Sequence, residues 1–237
     1  MIIEFSGTGA FHRDTNGENQ DALFHAQNKE YCVISLADGV STCKRAKTGA
    51  EIASRAITNL FFKKGPYFLE AEKKQISEFA VSHILYELKQ QAEIDFSSVE
   101  DYSSTITSVL VDKVNKRILC FNIGDGIIIA SRKGQCRILA MPSDSSRGCC
   151  VTTTKNVASM ASVDMYDTSS IESIVICSDG AWKKMFDKNR LKPEIEKVLV
   201  NSEFDSLKSF LTEQKCYDDY SFISFRMQQK NTRRTSA

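Results

Sequence analysis

The chain has 237 residues, 42% of them hydrophobic and 26% charged, with a net charge of +1. That length can bury a substantial core, and the composition is that of an ordinary globular protein. The near-zero charge leaves no global field for nucleic acid or an anionic membrane, and no stretch approaches the roughly 18 apolar residues of a membrane span.

The opening Met1-Ile2-Ile3-Glu4-Phe5 has no basic region followed by an apolar run, so no secretory signal is expected. Residues 31–37 (YCVISLA) are almost continuously apolar and predict a strand buried on both faces. Residues 48–62 carry Ile52, Ala53, Ala56, Ile57 and Leu60 at helical spacing. A longer helix is predicted over 70–94, with Ile76, Phe79, Ala80, His83, Ile84 and Leu88 on one side. Strands at 105–111 and 117–123 predict a hairpin, as do 127–131 and 136–140 around Arg132-Lys133-Gly134-Gln135. A buried strand follows at 173–177, then helices at 193–200 and 205–213 and a last strand at 221–226. This order predicts an α+β fold of two packed sheets with helices outside. One domain is expected over residues 1–226, and residues 227–237 read as a polar, basic tail.

The eight cysteines are scattered without CxxC spacing, and Cys32, Cys120 and Cys177 lie inside apolar runs where a thiol packs as a small hydrophobe. A reducing, cytoplasmic setting without disulfides is expected.

The informative pattern is where the aspartates fall. Strand 31–37 runs into Asp38-Gly39, strand 173–177 into Ser178-Asp179-Gly180, and strand 117–123 into Gly124-Asp125-Gly126. Asp218-Asp219 precedes the last strand, and Asp21 opens an apolar stretch after Asn19-Gln20. Singly, Asp-Gly after a strand is a turn signal. Together, these carboxylates would meet at one edge of the sheets, where they would resist ionisation unless cations neutralise them. The set is oxygen-only and no His/Cys group has zinc spacing, which suits Mg²⁺ or Mn²⁺. Two such ions can share a water and promote in-line phosphoryl displacement.

These segments resemble the type 2C (PPM) metal-dependent protein phosphatases, bacterial-like subgroup. The resemblance runs from Gly9 to about Phe225. Its motifs are Asn19-Gln20-Asp21-Ala22, Ala37-Asp38-Gly39-Val40 with Gly49-Ala50, Ser104-Thr105, Asn122-Ile123-Gly124-Asp125, Ser178-Asp179-Gly180-Ala181-Trp182 and Asp218-Asp219-Tyr220-Ser221. It implies an α-β-β-α sandwich and hydrolysis of phosphoserine and phosphothreonine in proteins by a metal-activated water. It implies that Asp38 bridges two ions, that the Gly39 carbonyl binds one, and that Asp179 and Asp218 bind the other. Asp21 would hold metal-bound water, and Asp125 with Asp179 would form a third, weaker site. Asp38, Asp179 and Asp21 are thus the expected catalytic set. Segment 141–170 resembles the flap that varies between members and shapes substrate access. A phosphorylated protein substrate and an opposing Ser/Thr kinase are the implied partners, with the chain expected to be a monomer.

The chain departs from the family pattern in places. The usual acidic pair is Gln20-Asp21, with His12 in the place of the preceding histidine, and Asn16 stands where the phosphate-binding arginine is expected. His12 or Arg13 is the candidate replacement. His12 reads equally as a phosphate contact, a general acid or a structural residue near a turn. His25 and His83 read as structural or surface residues, Trp182 as a core anchor under the site, and Lys183-Lys184 as a solvated helix start. Cys149-Cys150 reads as an inert thiol pair.

Two other functions stay open at the level of sequence: a catalytically weak regulatory binding module of the same fold, and a small-metabolite phosphatase. The retained Asp38, Asp125, Asp179 and Asp218 count against the first. No Cys is followed six residues later by Arg, and no GxxxxGK[ST] loop exists, which removes thiolate phosphatases and P-loop NTPases.

Overall fold

Alternation along β3 (Tyr31–Asp38) sets the architecture. Side chains of successive strand residues point to opposite faces, so both faces of β3 are buried, but in different layers. Cys32, Ile34 and Leu36 enter a core between two sheets, whereas Val33 and Ala37 enter a core beneath helices. The computed structural model describes residues 1–142 and 150–227.

Each main sheet has five strands, all paired antiparallel. The first sheet runs in the order β2 (Asp21–Gln27), β3, β4 (Ile106–Asp112), β5 (Arg117–Ile123) and β8 (Ser162–Asp167). The second runs β1 (Ile2–Gly7), β12 (Tyr220–Arg226), β9 (Ile171–Cys177), β6 (Ile127–Arg132) and β7 (Gln135–Ala140). Helices α2 (Ala46–Phe68) and α3 (Lys73–Ile94) cover the first sheet. The second is covered by α4 (Asp179–Met185), α5 (Pro193–Val200) and α6 (Phe204–Glu213). A two-residue hairpin, β10 (Phe186–Asp187) with β11 (Arg190–Leu191), follows α4. The result is the expected four-layer α-β-β-α sandwich with three apolar cores.

The middle core joins Cys32, Ile34, Leu36, Val109 and Val111 of one sheet to Ile174, Ile176 and Ile223 of the other, all at 0% exposure. Full burial of an aliphatic side chain contributes about 1.5–3 kcal/mol, so this seam dominates the attachment of sheet to sheet. Under α2, the Ser35, Ser108 and Thr58 hydroxyls bond one another at 2.7–2.8 Å, which satisfies polar atoms that would otherwise be stranded.

Several expectations need correction. The helix predicted over 48–62 extends to Phe68, through a kink at Lys64 and across Pro66. Proline lacks an amide proton and crowds the preceding turn, so the helix continues only by bending. The helix predicted from 70 begins at Lys73, where Gln75 Oε1 accepts the Glu72 amide at 3.2 Å. Phe79, expected on the buried side of α3, is 48% exposed, with its ring against Tyr67 and Phe68. Strands β1, β2 and β8 and the short α1 (Ala10–Asp14) were not anticipated. Within the segment expected to be a flap, residues 162–167 form the edge strand β8, while residues 143–149 lie outside the described residues. So do Cys149 and tail residues 228–237. Among the described residues, no helix is long and apolar enough to cross a membrane.

Candidate metal centre

β2 begins, β3 and β9 end, and β12 begins at the same end of the sandwich. Antiparallel pairing brings this about: Asp21 is in register with Asp38, and Phe222 with Cys177. The turn from β5 to β6 lies at this end as well, with Asp125 in it. Five acids predicted from separate segments are thereby gathered, and the charges of Asp21, Asp179, Asp218 and Asp125 all act on Asp38.

The local chemistry holds each acid in place. Asn19 Oδ1 accepts the Asp21 amide at 2.9 Å, and the Ser178 hydroxyl donates to Asp21 Oδ2 at 2.9 Å. Ser178 Oγ in turn accepts the Ser221 amide at 2.9 Å, so β9, β12 and β2 are tied through one hydroxyl. The Asp38 amide bonds Thr105 Oγ1 at 3.1 Å, and its carbonyl accepts the Thr105 amide at 2.8 Å. Asp179 is the first residue of α4, where unpaired amides favour a negative charge. Gly124 turns the chain at φ +104°, a conformation that a side chain would strain. Trp182 Nε1 donates to the Asp125 carbonyl at 2.8 Å and fixes that turn against α4.

Asp219 binds the N-terminal segment to this end. Its Oδ1 accepts the Gly9 amide at 2.8 Å, and its Oδ2 accepts the Gln20 amide at 2.6 Å and meets His12 Nδ1 at 2.8 Å. His12 is buried against this carboxylate. Arg13 is exposed and donates to the Thr8 carbonyl, outside the carboxylate cluster. His25 pairs with Glu4 at the surface. Asp218 Oδ1 accepts the Asp219 amide at 2.9 Å.

The cluster resists ionisation. Burial raises the Asp21 carboxyl to about 7, helped by Asp219 and Asp179 and opposed by the Ser221 and Ser178 hydroxyls. Asp38 keeps some solvent contact, but the dense protein around it still makes desolvation the main cause of its raised pKa, followed by the neighbouring acids. Burial and then Asp179 raise Asp218. Lys183 brings a positive charge to the cluster: its Nζ donates to Asp179 Oδ2 at 2.5 Å. Burial lowers the Lys183 pKa, but the bond to Asp179 and the charges of Asp125 and Asp218 outweigh it.

These residues fit a divalent ion by donor chemistry and by what is left over. Asp21 Oδ1, Asp179 Oδ1 and Gln20 Oε1 are buried oxygens that find no hydrogen-bond partner among the described residues. Unpaired buried acceptors are costly, and hard divalent cations take oxygen ligands. Among the described residues, no three His, Cys, Asp or Glu side chains already enclose a common point, so the carboxylates are crowded without forming a coordination shell. A separate cleft of about 330 Å³, lined by Arg132, Arg137, Tyr166 and Asp167 among others, opens at the opposite end of the sandwich.

Sequence reasoning missed the roles of Ser178, Asp219 and Lys183. The spacing of Lys183 from Asp179, one helical turn, was the available signal for that pair. Nothing distinguishes Asp219 from Asp218 before the fold turns one inward.

A search of curated proteins finds no match. Among solved structures, serine/threonine phosphatase Stp1 from Staphylococcus aureus is 16% identical with a TM-score of 0.70, covering 96% of this chain and 95% of its own. The S. agalactiae serine/threonine phosphatase is 17% identical with a TM-score of 0.69, covering 96% and 99%. The catalytic domain of serine threonine protein phosphatase PstP, in complex with two manganese ions, is 14% identical with a TM-score of 0.69, covering 94% and 96%. These likenesses establish the fold, and the protein phosphatase 2C profile matches residues 8–214, nearly the whole sandwich; the chain belongs to the protein phosphatase 2C family.

Proposed function

We propose that this phosphatase removes phosphate from serine and threonine side chains of proteins with two Mn²⁺ or Mg²⁺ ions held by Asp38, the Gly39 carbonyl, Asp179 and Asp218. Asp21 would hold water bound to them. The observation that carries this reading is the convergence of Asp21, Asp38, Asp179 and Asp218 at one end of the sandwich, with three of their carboxyls resisting charge. The ions supply Lewis-acid chemistry, acidifying water and offsetting charge at a phosphoryl group.

The chain's own groups orient and desolvate. Ser178 fixes the Asp21 carboxylate by donating its hydroxyl to Oδ2. Asp219 anchors His12 and the Gln20 amide, and so sets the entry of β2 toward the site. His12, held on Asp219, and the exposed Arg13 are the candidates for binding the substrate phosphate.

The neighbours' names, serine/threonine phosphatases, support a phosphoprotein substrate and, with it, an opposing Ser/Thr kinase. The cysteines among the described residues are all free, which supports a cytoplasmic setting. Pairing of β1 with β12 joins the two ends of residues 1–226 and supports a single domain; we take the chain to act as a monomer.

The test is hydrolysis of p-nitrophenyl phosphate with and without Mn²⁺, then a phosphopeptide panel. Metal-dependent turnover with preference for phosphoserine or phosphothreonine is expected. Turnover that persists in EDTA and in Asp38→Ala would refute the assignment.

A further inference from the structure

Asp179 and Lys183 stand one turn apart on α4, with the ammonium 2.5 Å from Asp179 Oδ2. A fully exposed pair at this spacing contributes little. This pair differs at the carboxylate end. Asp179 is 8% exposed, and its second oxygen, Oδ1, is buried with no hydrogen-bond partner among the described residues. Lys183 also lies within the field of Asp125 and Asp218. The indole of Trp182, the preceding residue, holds the Asp125 turn against the same helix through its 2.8 Å bond to the Asp125 carbonyl. A cation carried by the chain is therefore bonded to Asp179 and lies within the field of Asp125, the two acids that would share an outer divalent ion.

We propose that Lys183 is a built-in cation that takes the place of a third divalent ion between Asp125 and Asp179, leaving this chain with two metal sites. The inference rests on the reading of Asp38, Asp179 and Asp218 as metal ligands. An ammonium has three donors and no acceptor, so it can neutralise carboxylates but cannot ligate a metal. Bound to Asp179 Oδ2, it leaves Oδ1 for the inner ions and sets the orientation of the carboxylate before they arrive. An outer divalent ion would have to displace the ammonium and then tolerate a like charge beside it. The lysine side chain is 56% exposed, so replacing it leaves the packed core untouched.

The test counts Mn²⁺ bound per chain by equilibrium dialysis and metal analysis, on the full chain and on Asp125→Ala, Lys183→Ala and the double variant. The parent chain is expected to bind two ions, and Asp125→Ala to bind two as well. Lys183→Ala, which opens the space and exposes the charges, is expected to bind a third and weaker ion that the double variant loses. A parent chain that binds three ions, one of them lost in Asp125→Ala, would overturn the inference. So would a Lys183→Ala variant that binds no more than the parent. A parent chain that binds no Mn²⁺ at all would overturn the metal reading itself, and the inference with it, so the two failures are distinguishable.

Discussion

Asp21 and Asp38 stand opposite each other across the β2–β3 ladder, the first residue of one strand in register with the last of its neighbour. Like charges in that relationship repel, and burial adds a desolvation cost to each. The strand pairing therefore holds two acids together at the expense of the metal-free fold.

It follows that Asp38→Asn should stabilise the protein in EDTA while removing its activity. The amide keeps the shape and discards the charge, so a gain of about 1–3 kcal/mol at pH 8 is expected in urea unfolding. The same variant should lose most of the rise in melting temperature that Mn²⁺ gives the parent. A variant less stable than the parent in EDTA would show that repulsion between these acids is not a significant cost.

Asp219 should behave in the opposite way. Its carboxylate accepts the Gly9 and Gln20 amides and meets His12, so Asp219→Ala strands several buried polar groups. A loss of about 3–5 kcal/mol is expected, since each unpaired buried group costs about 1–3 kcal/mol. Because Asp219 is assigned no metal, the number of Mn²⁺ ions bound by the folded variant should not change. Metal analysis at saturating Mn²⁺ separates this anchoring role from that of a ligand.

The contrast between these acids also marks how far the sequence could be read. Strands β3 and β9 were visible because burial on both faces makes them continuously apolar, and the two hairpins because turn residues separate apolar runs. The edge strands β1 and β8 were not: one face of each is partly exposed, and Glu4 or Asp164 interrupts the pattern. Asp21, Asp38, Asp125, Asp179 and Asp218 could be picked out from their places at strand ends. That Asp219 turns inward to hold His12, and that Lys183 reaches back to Asp179, depends on side-chain direction, which periodicity does not encode. Phe79 fits the helical stripe of α3 but lies near the kinked end of α2, where its ring packs on Tyr67 and Phe68 and stays half open to solvent.

The buried thiols give a pH dependence well away from the acids. Burial pushes Cys32 up to about 12 and raises Cys120 as well. In the unfolded chain a thiol titrates near about 8.5. Above that pH the folded state holds more protons than the unfolded one, so stability falls as pH rises toward the folded value. Each such thiol should contribute a slope of about 1.4 kcal/mol per pH unit between roughly pH 9 and 11. Cys32→Ala should make that alkaline slope shallower by about one thiol's share. In thiol labelling at pH 8, the partly exposed Cys43 should react in the native state, and Cys32 and Cys120 only on unfolding. Rapid native labelling of Cys32 would contradict the packing described.

Gly180 tests whether the approach of α4 to the start of β12 sets the metal site. A Cβ at Gly180 would lie 2.2 Å from the Asp219 carbonyl oxygen and 3.2 Å from that of Asp218. Both are backbone atoms, so no side-chain rotation relieves the clash, and α4 has to move away from the strand. Asp179 moves with it and separates from Asp218. Gly180→Ala is therefore expected to cost about 1–3 kcal/mol of stability and to weaken Mn²⁺ binding at least about tenfold, measured by calorimetric titration. Gly134→Ala is the matched control. Its φ is +83° but nothing among the described residues lies within 4 Å of the added carbon, so it should cost about 1–2 kcal/mol through backbone strain. Its Mn²⁺ affinity should equal the parent's. If Gly180→Ala binds Mn²⁺ as tightly as Gly134→Ala does, the spacing between α4 and β12 does not control the site.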